Sequence, residues 1–161
     1  MMNNFSGSVL ARPDVIEFLG LLAVRKVRYM IFGGCAVMLY SGRRYTSNID
    51  IWIARNGGNV EALFGALKTF GAPLAGLSVE DFCQEGHFFQ MGSPPVRIDD
   101  MLSTRGVTFD DAWEERQMMN FDGLLIPFIS LNHLIRVKLA SDRSQDIIDV
   151  RNLVRGIGPV M

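Results

Sequence analysis

The chain has 161 residues, 48% of them apolar and 20% charged, with a net charge of −1. That is enough chain for one domain with a buried core. The near-neutral balance excludes a strongly basic nucleic-acid wrapper and leaves room only for a local basic patch.

Residues 1–11 are expected to form a flexible N-terminus and residues 12–161 a single domain. The first eight residues lack a basic region followed by an apolar run, so no signal peptide is expected. Pro13 suits a first helical position, and Val15, Phe18, Leu19 and Leu22 recur at helical spacing, predicting an amphipathic helix over 13–26. A short apolar strand over 28–32 is broken by Gly33-Gly34, and 35–40 reads as a short helix. Residues 48–54 alternate polar and apolar and predict a strand. Asn56-Gly57-Gly58-Asn59 reads as a turn, followed by a helix over 60–70 with Leu63, Phe64 and Leu67 inward, stopped by Gly71.

Further along, Ser78-Val79-Glu80-Asp81 is placed to cap a short helical turn. Residues 87–91 and 96–102 read as strands joined through Gly92-Ser93-Pro94-Pro95. Thr108-Phe109-Asp110-Asp111 is a capping pattern opening a short helix through Arg116. Strands over 117–121 and 124–128 flank Asp122-Gly123, a hairpin signal. Ser130 caps a helix to about residue 140, and a last helix covers about 144–154, ending near Gly156. The expected fold class is α/β of the α+β kind: a mixed, mostly antiparallel sheet flanked by helices, with a C-terminal helix pair.

On the strand Asn48-Ile49-Asp50-Ile51-Trp52-Ile53, alternation puts Asn48, Asp50 and Trp52 on one face and the isoleucines on the other. Two oxygen-bearing side chains one residue apart converge above a sheet, and a magnesium ion takes hard oxygen ligands of this kind together with phosphate oxygens. A half-exposed strand with its polar residues in water gives the same pattern. In Val96-Arg97-Ile98-Asp99-Asp100, Arg97 and Asp99 share a face. If the two strands are neighbours, Asp99 joins Asn48 and Asp50 as a third ligand or as a general base; the competing outcome is an Arg97–Asp50 surface salt bridge. Parity places Asp100 on the opposite face.

Gly33-Gly34, between a strand and a helix, lets backbone approach a phosphate at a helix N-terminus, though a glycine pair alone also marks an ordinary tight turn. Arg43, Arg44 and Thr46 precede the polar strand and are placed to meet phosphate oxygens, against the default of solvated loop residues. Lys138, Arg143, Gln145, Asp146 and Asp149 form a polar cluster at a helix–turn–helix junction. There Lys138 would reach a triphosphate and Asp146 would orient it or the acceptor; charge pairing at helix ends stands at even weight. His87 and His133 are isolated, so zinc is not expected, and no Gly-x-Ser-x-Gly elbow, P-loop or Gly-x-Gly-x-x-Gly fingerprint occurs. Trp52 and Trp113 are read as core or rim. Cys35 and Cys83 have no metal-ligand spacing and no disulfide framework, which fits a reduced, cytoplasmic setting, and no apolar run is long enough to span a bilayer.

Together these residues resemble the DNA polymerase β-type nucleotidyltransferase superfamily, and more closely its small stand-alone bacterial members, the MNT and AbiEii-like proteins found with mobile elements and toxin–antitoxin pairs. The pattern is a Gly-Gly pair at a strand–helix junction, a Thr-x-Asp-x-Asp strand and a third Asp on a later strand. Here it is Gly33-Gly34, Thr46-Ser47-Asn48-Ile49-Asp50, and Asp99. The likeness continues through 106–113, 126–131, Lys138 and 143–150, and covers residues 28–154. It implies a nucleoside triphosphate, two magnesium (or manganese) ions, and a nucleotidyl group passed to an acceptor that is a tRNA end, a protein hydroxyl or a small molecule. It also implies a cognate toxin or antitoxin partner; separately, a short helix and an exposed edge strand could make a homodimer, and the lack of a long apolar run leads to no expected membrane. Catalytic roles then fall to Asp50 and Asp99, metal ligation to Asn48, Asp50 and Asp99, and nucleotide binding to Gly33, Gly34, Arg43, Arg44, Thr46, Lys138 and Asp146. The sequence departs from the pattern at Cys35, where many members carry a serine, and at Asn48, where an amide replaces the first carboxylate and removes one negative charge. The alternative expectation is a catalytically degenerate relative that binds nucleotide or a partner.

Overall fold

Strand β1 (Tyr29–Phe32) pairs antiparallel with β2 (Ile49–Ile53), with Tyr29 opposite Ile53 and Phe32 opposite Asp50. The computed structural model describes residues 9–42, 48–84, 88–92, 96–99, 106–140 and 144–157. Around this central pair stand β3 (Phe88–Met91), β4 (Val96–Asp99), β5 (Gln117–Phe121) and β6 (Leu124–Phe128), in the order β3-β4-β2-β1-β6-β5. The β2–β4 and β1–β6 pairs are parallel; β1–β2, β3–β4 and β5–β6 are antiparallel. The helices are α1 (Pro13–Val24), α2 (Gly33–Ser41), α3 (Gly57–Phe70), α4 (Val79–Phe82), α5 (Phe109–Glu114), α6 (Leu131–Leu139) and α7 (Ser144–Ile157).

Strand alternation explains the layering. Register places Tyr29, Ile31, Ile49, Ile51, Ile53, Val96, Ile98, Phe89 and Met91 on one face, and all are buried. Phe82 of α4 meets Phe89 at 5.6 Å between ring centres and Phe64 of α3 at 5.9 Å, so helices cover this face. Val15, Phe18, Leu19 and Leu22 supply the buried stripe of α1, and Phe18 packs against Phe70 at the end of α3. The other face carries Asp50 and Trp52. Trp52 is 1% exposed, because Phe109 of α5 meets it edge-on at 5.2 Å. Half of the polar strand face is therefore roofed.

Local chemistry sets most boundaries. The side chains of Thr108 and Ser130 accept the backbone N–H of Asp111 and His133, and Ser78 with Asp81 forms a capping box. Asp122 and Gly123 both have positive φ (55° and 92°), the primed hairpin turn expected from the Asp-Gly pair.

Several boundaries differ from the sequence reading; α1 ends at Val24 and α5 at Glu114, each two residues early. Residues 9–11, read as loose, form a 3-10 turn with Leu10 fully buried. Gly33-Gly34 does not precede α2 but forms its first turn. Gly57-Gly58 is likewise helical, because Asn56 caps α3 by accepting the Asn59 N–H. Helix α7 runs through Gly156 to Ile157.

Buried Asn59 joins α3 to both central strands. Its Oδ1 accepts the Arg28 N–H at 2.7 Å, and its Nδ2 donates to the carbonyls of Arg28 (3.0 Å) and Ala54 (2.7 Å). It thus completes the hydrogen bonding where β1 begins and β2 ends. Replacing Asn59 by Ala leaves three backbone groups without this partner. The Asn59→Ala protein should lose about 2–4 kcal/mol in urea denaturation.

Candidate functional site

The end of β1 runs directly into α2, and the turn is built around Gly33, whose φ is +67°. A Cβ at Gly33 would collide with the Asp50 carboxylate, lying 3.2 Å from its Cγ. Two requirements therefore select glycine: the left-handed backbone and the missing side-chain volume. The consequence is a carboxylate held against the first turn of a nine-residue helix. Such a turn carries amide donors without intrahelical partners and the positive end of the helix dipole. Gly34 and Cys35 follow, both buried, and the Cys35 Sγ–H donates to the Asn48 carbonyl at 3.3 Å. That contact ties α2 to the residue just before β2.

Asn48 and Asp50 are half-buried. The parallel β2–β4 register sets Arg97 opposite Asp50 and Asp99 opposite Trp52. The expectation that the two strands are neighbours is met, and by backbone register position 99 falls on the Asp50 face. The Asp99 side chain lies outside the described residues, as do Arg43, Arg44, Thr46, Asp100 and Arg143. His87 also lies outside them. Among the described residues no three His, Cys, Asp or Glu side chains form a metal-holding group. The donor shown against the glycine cradle is the Asp50 carboxylate. With the side-chain oxygen of Asn48, the residue before β2, the set would be hard oxygens, which suits magnesium in kind, at a lower charge than a carboxylate pair.

The polar cluster near the C-terminus is an ion triad. Lys138 Nζ lies 2.9 Å from Asp146 Oδ1 and 3.1 Å from Asp149 Oδ2, with the three side chains 6%, 1% and 0% exposed. Gln145 Nε2 donates to the other Asp149 oxygen at 2.9 Å. Of the two sequence readings, charge pairing is the one these distances describe, and any phosphate reaching Lys138 competes with two carboxylates. The triad fastens α6 to α7, and both helices pack on α2. The helix whose first residue meets Asp50 is thus braced from behind by a buried charge cluster.

Two further braces were not legible in the sequence. The Tyr40 hydroxyl donates to the Ile129 carbonyl at 2.7 Å, linking α2 to the segment after β6, and burial pushes its phenol up to about 12. His133 is buried with Nδ1 3.0 Å from Ser130 Oγ and 3.6 Å from Glu115 Oε1. Nothing in the spacing of Tyr40, Ile129 and Glu115 signals these meetings, which depend on how α2 and α6 pack.

A family model described as "nucleotidyltransferase of unknown function" (DUF6036) matches residues 14–154. The chain belongs to this family. A solved structure, an antigenic nucleotidyltransferase-like protein from Paracoccidioides brasiliensis, is similar to it with a TM-score of 0.59 at 20% identity, over 94% of this chain and 76% of that one. No curated protein matches. The mixed, mostly antiparallel sheet with flanking helices expected from the sequence is therefore the fold found, and it is nucleotidyltransferase-like. No helix among the described residues of this nucleotidyltransferase family member is long and apolar enough to cross a membrane.

Two substitutions test the geometry. Gly33→Ala should destabilise by more than about 1 kcal/mol. Combining it with Asp50→Ala should remove the collision and leave the positive-φ strain, giving a coupling near 1 kcal/mol in a double-mutant cycle. Lys138→Met takes the lysine away from two buried carboxylates and should cost about 3–5 kcal/mol, read by denaturant melts, with most of it regained when Asp146→Asn and Asp149→Asn are added.

Proposed function

We propose that this chain is a metal-dependent nucleotidyltransferase that moves a nucleoside monophosphate from a nucleoside triphosphate to an acceptor, with activity reduced by Asn48. The observation that carries the reading is the Asp50 carboxylate seated against Gly33 at the start of α2. A phosphate chain resting on the Gly33-Gly34 turn would meet amide donors there, and Asp50 would hold a metal. Arg43, Arg44, Thr46 and Lys138 are the cationic and hydroxyl groups assigned to the phosphates, with Asp146 holding Lys138.

In the proposed reaction an acceptor hydroxyl oxygen attacks the α-phosphorus. A new P–O bond forms, the bridging bond to the β-phosphate breaks, and pyrophosphate leaves. Asp50 and Asp99 would hold the metal, and Asp99 is also the candidate to take the hydroxyl proton. Asn48 supplies one neutral oxygen. Bound magnesium or manganese would supply charge stabilisation at the departing oxygens and lower the acceptor's pKa. The acceptor is assigned by class only: a tRNA end, a protein hydroxyl or a small molecule. Kinship with the small MNT and AbiEii-like bacterial proteins, a cytoplasmic setting and a toxin–antitoxin context with a cognate partner or a second copy belong to the same proposal.

Two observations favour a second reading, a degenerate relative that binds nucleotide or a partner without turnover. Asn48 removes a negative charge from the ligand set, and Lys138 is occupied by two carboxylates.

Incubation with α-labelled nucleotides, magnesium or manganese and candidate acceptors separates the two. The transferase reading expects slow label transfer, abolished by Asp50→Asn and raised about tenfold or more by Asn48→Asp, which corresponds to about 1.4 kcal/mol of barrier. Absence of transfer in both the native and Asn48→Asp proteins, with nucleotide still raising the melting temperature, assigns the chain to the binding relative.

A further inference from the structure

The sheet ends at β5, whose outer edge meets no further strand among the described residues. Met118 is 45% exposed, and Gln117 and Asn120 are exposed beside it. Exposed edges are usually blunted by lysine, proline or a bulge. β5 has none of these: it reads Gln117-Met118-Met119-Asn120-Phe121, and its register with β6 runs unbroken from Gln117 opposite Phe128 to Phe121 opposite Leu124. Phe121 and Leu124 close the two-residue turn and are therefore the hydrogen-bonded pair. By ladder alternation the backbone N–H and C=O groups of Met118 and Asn120 then point away from β6, as a template for another strand.

We propose that this edge pairs antiparallel with β5 of a second copy of the chain, about a two-fold axis at Met119, joining the two sheets into one. It supplies the surface for the second copy in the functional reading and rests on that part of it alone. Of the possible centres, Met119 is the one that overlaps all five strand residues: Gln117 falls opposite Phe121 of the other copy, and Met118 opposite Asn120. The same register sets Arg116 opposite Asp122 at both ends of the joint. Moving the axis to Met118 brings Asp122 toward Glu114, a like charge, and moving it to Asn120 carries Gln117 past the strand onto Gly123.

Charge complementarity is what singles out a second copy over a strand from another protein. Among the described residues, Arg116 and Asp122 are in no ion pair within the chain. Arg116 Nη1 donates to the Trp113 carbonyl at 2.8 Å, and its guanidinium lies over the Trp113 ring at 3.8 Å, so the cation is held just before β5. Its Nε is buried without a hydrogen-bond partner. Asp122 is exposed in the hairpin turn. Two-fold pairing gives each of these groups the opposite charge it lacks. It also makes the two Met118 side chains diagonal neighbours and sets Met119 against its own counterpart.

Sedimentation of the full chain over a concentration series, in chelator and without nucleotide, should show a reversible dimer of the 18.0 kDa chain. Arg116→Glu alone sets acid against acid at each end of the joint, and Asp122→Lys alone sets base against base. Each should weaken pairing about tenfold or more. An equimolar mixture of the two variants restores opposite charges at both ends. It should form a mixed dimer as tight as the parent's, a gain that misfolding cannot mimic. Asp50→Asn should dimerise as the parent does, so loss of nucleotidyl transfer and loss of pairing are read separately. The proposal is overturned if the native chain stays monomeric at about 100 µM, if both single charge variants dimerise as the parent does, or if their mixture stays monomeric.

Discussion

The contact between Gly33 and the Asp50 carboxylate is the constraint on which the rest of the arrangement depends. Phe32 and Asp50 are paired across β1 and β2, so the chain must leave β1 at the level where Asp50 projects. Any Cβ at position 33 would occupy the carboxylate's space. The backbone must also take a positive φ to start α2 at once. Glycine meets both demands, and the result is a carboxylate and a helix N-terminus within contact of each other. That pairing has an electrostatic logic in the absence of any ligand, because the dipole favours negative charge there.

Everything behind α2 serves to keep that helix in place. Cys35 ties it to Asn48, Tyr40 ties it to Ile129, and the Lys138 triad fastens the two helices on which it packs. The triad is a costly device, since three charged groups leave water. Its geometry compensates through short contacts and the added Gln145 hydrogen bond. A buried ion cluster is directional where an apolar contact is not. It fixes the relative position of α6 and α7, and with them the surface that α2 rests on.

The two faces of β2 divide the labour. Ile49, Ile51 and Ile53 anchor the strand in the core. The other face grades from Asn48 and Asp50, half-buried, to Trp52, closed over by Phe109. Polar chemistry is therefore confined to the end of the strand where α2 begins.

The sequence by itself determined the elements whose cause is local. Asp122-Gly123 dictated its turn because both residues tolerate positive φ. Thr108 and Ser130 announced their helices because a hydroxyl there satisfies a free amide. The isoleucine alternation identified the buried face of β2, and the likeness around Gly33, Asn48, Asp50 and Asp99 pointed to the nucleotidyltransferases, the coarser kinship that the family match shares. Only the tertiary structure decided the matters that depend on distant residues. Gly57-Gly58 reads as a turn until Asn56 caps a helix across it, and Leu10 reads as loose until α1 brings it to the core. Lys138 offers two readings on paper; packing α6 on α7 places two aspartates around it. The division has one physical reason. Turn and cap energies are set within four residues, whereas strand order, burial and charge pairing are set by which surfaces the core brings together.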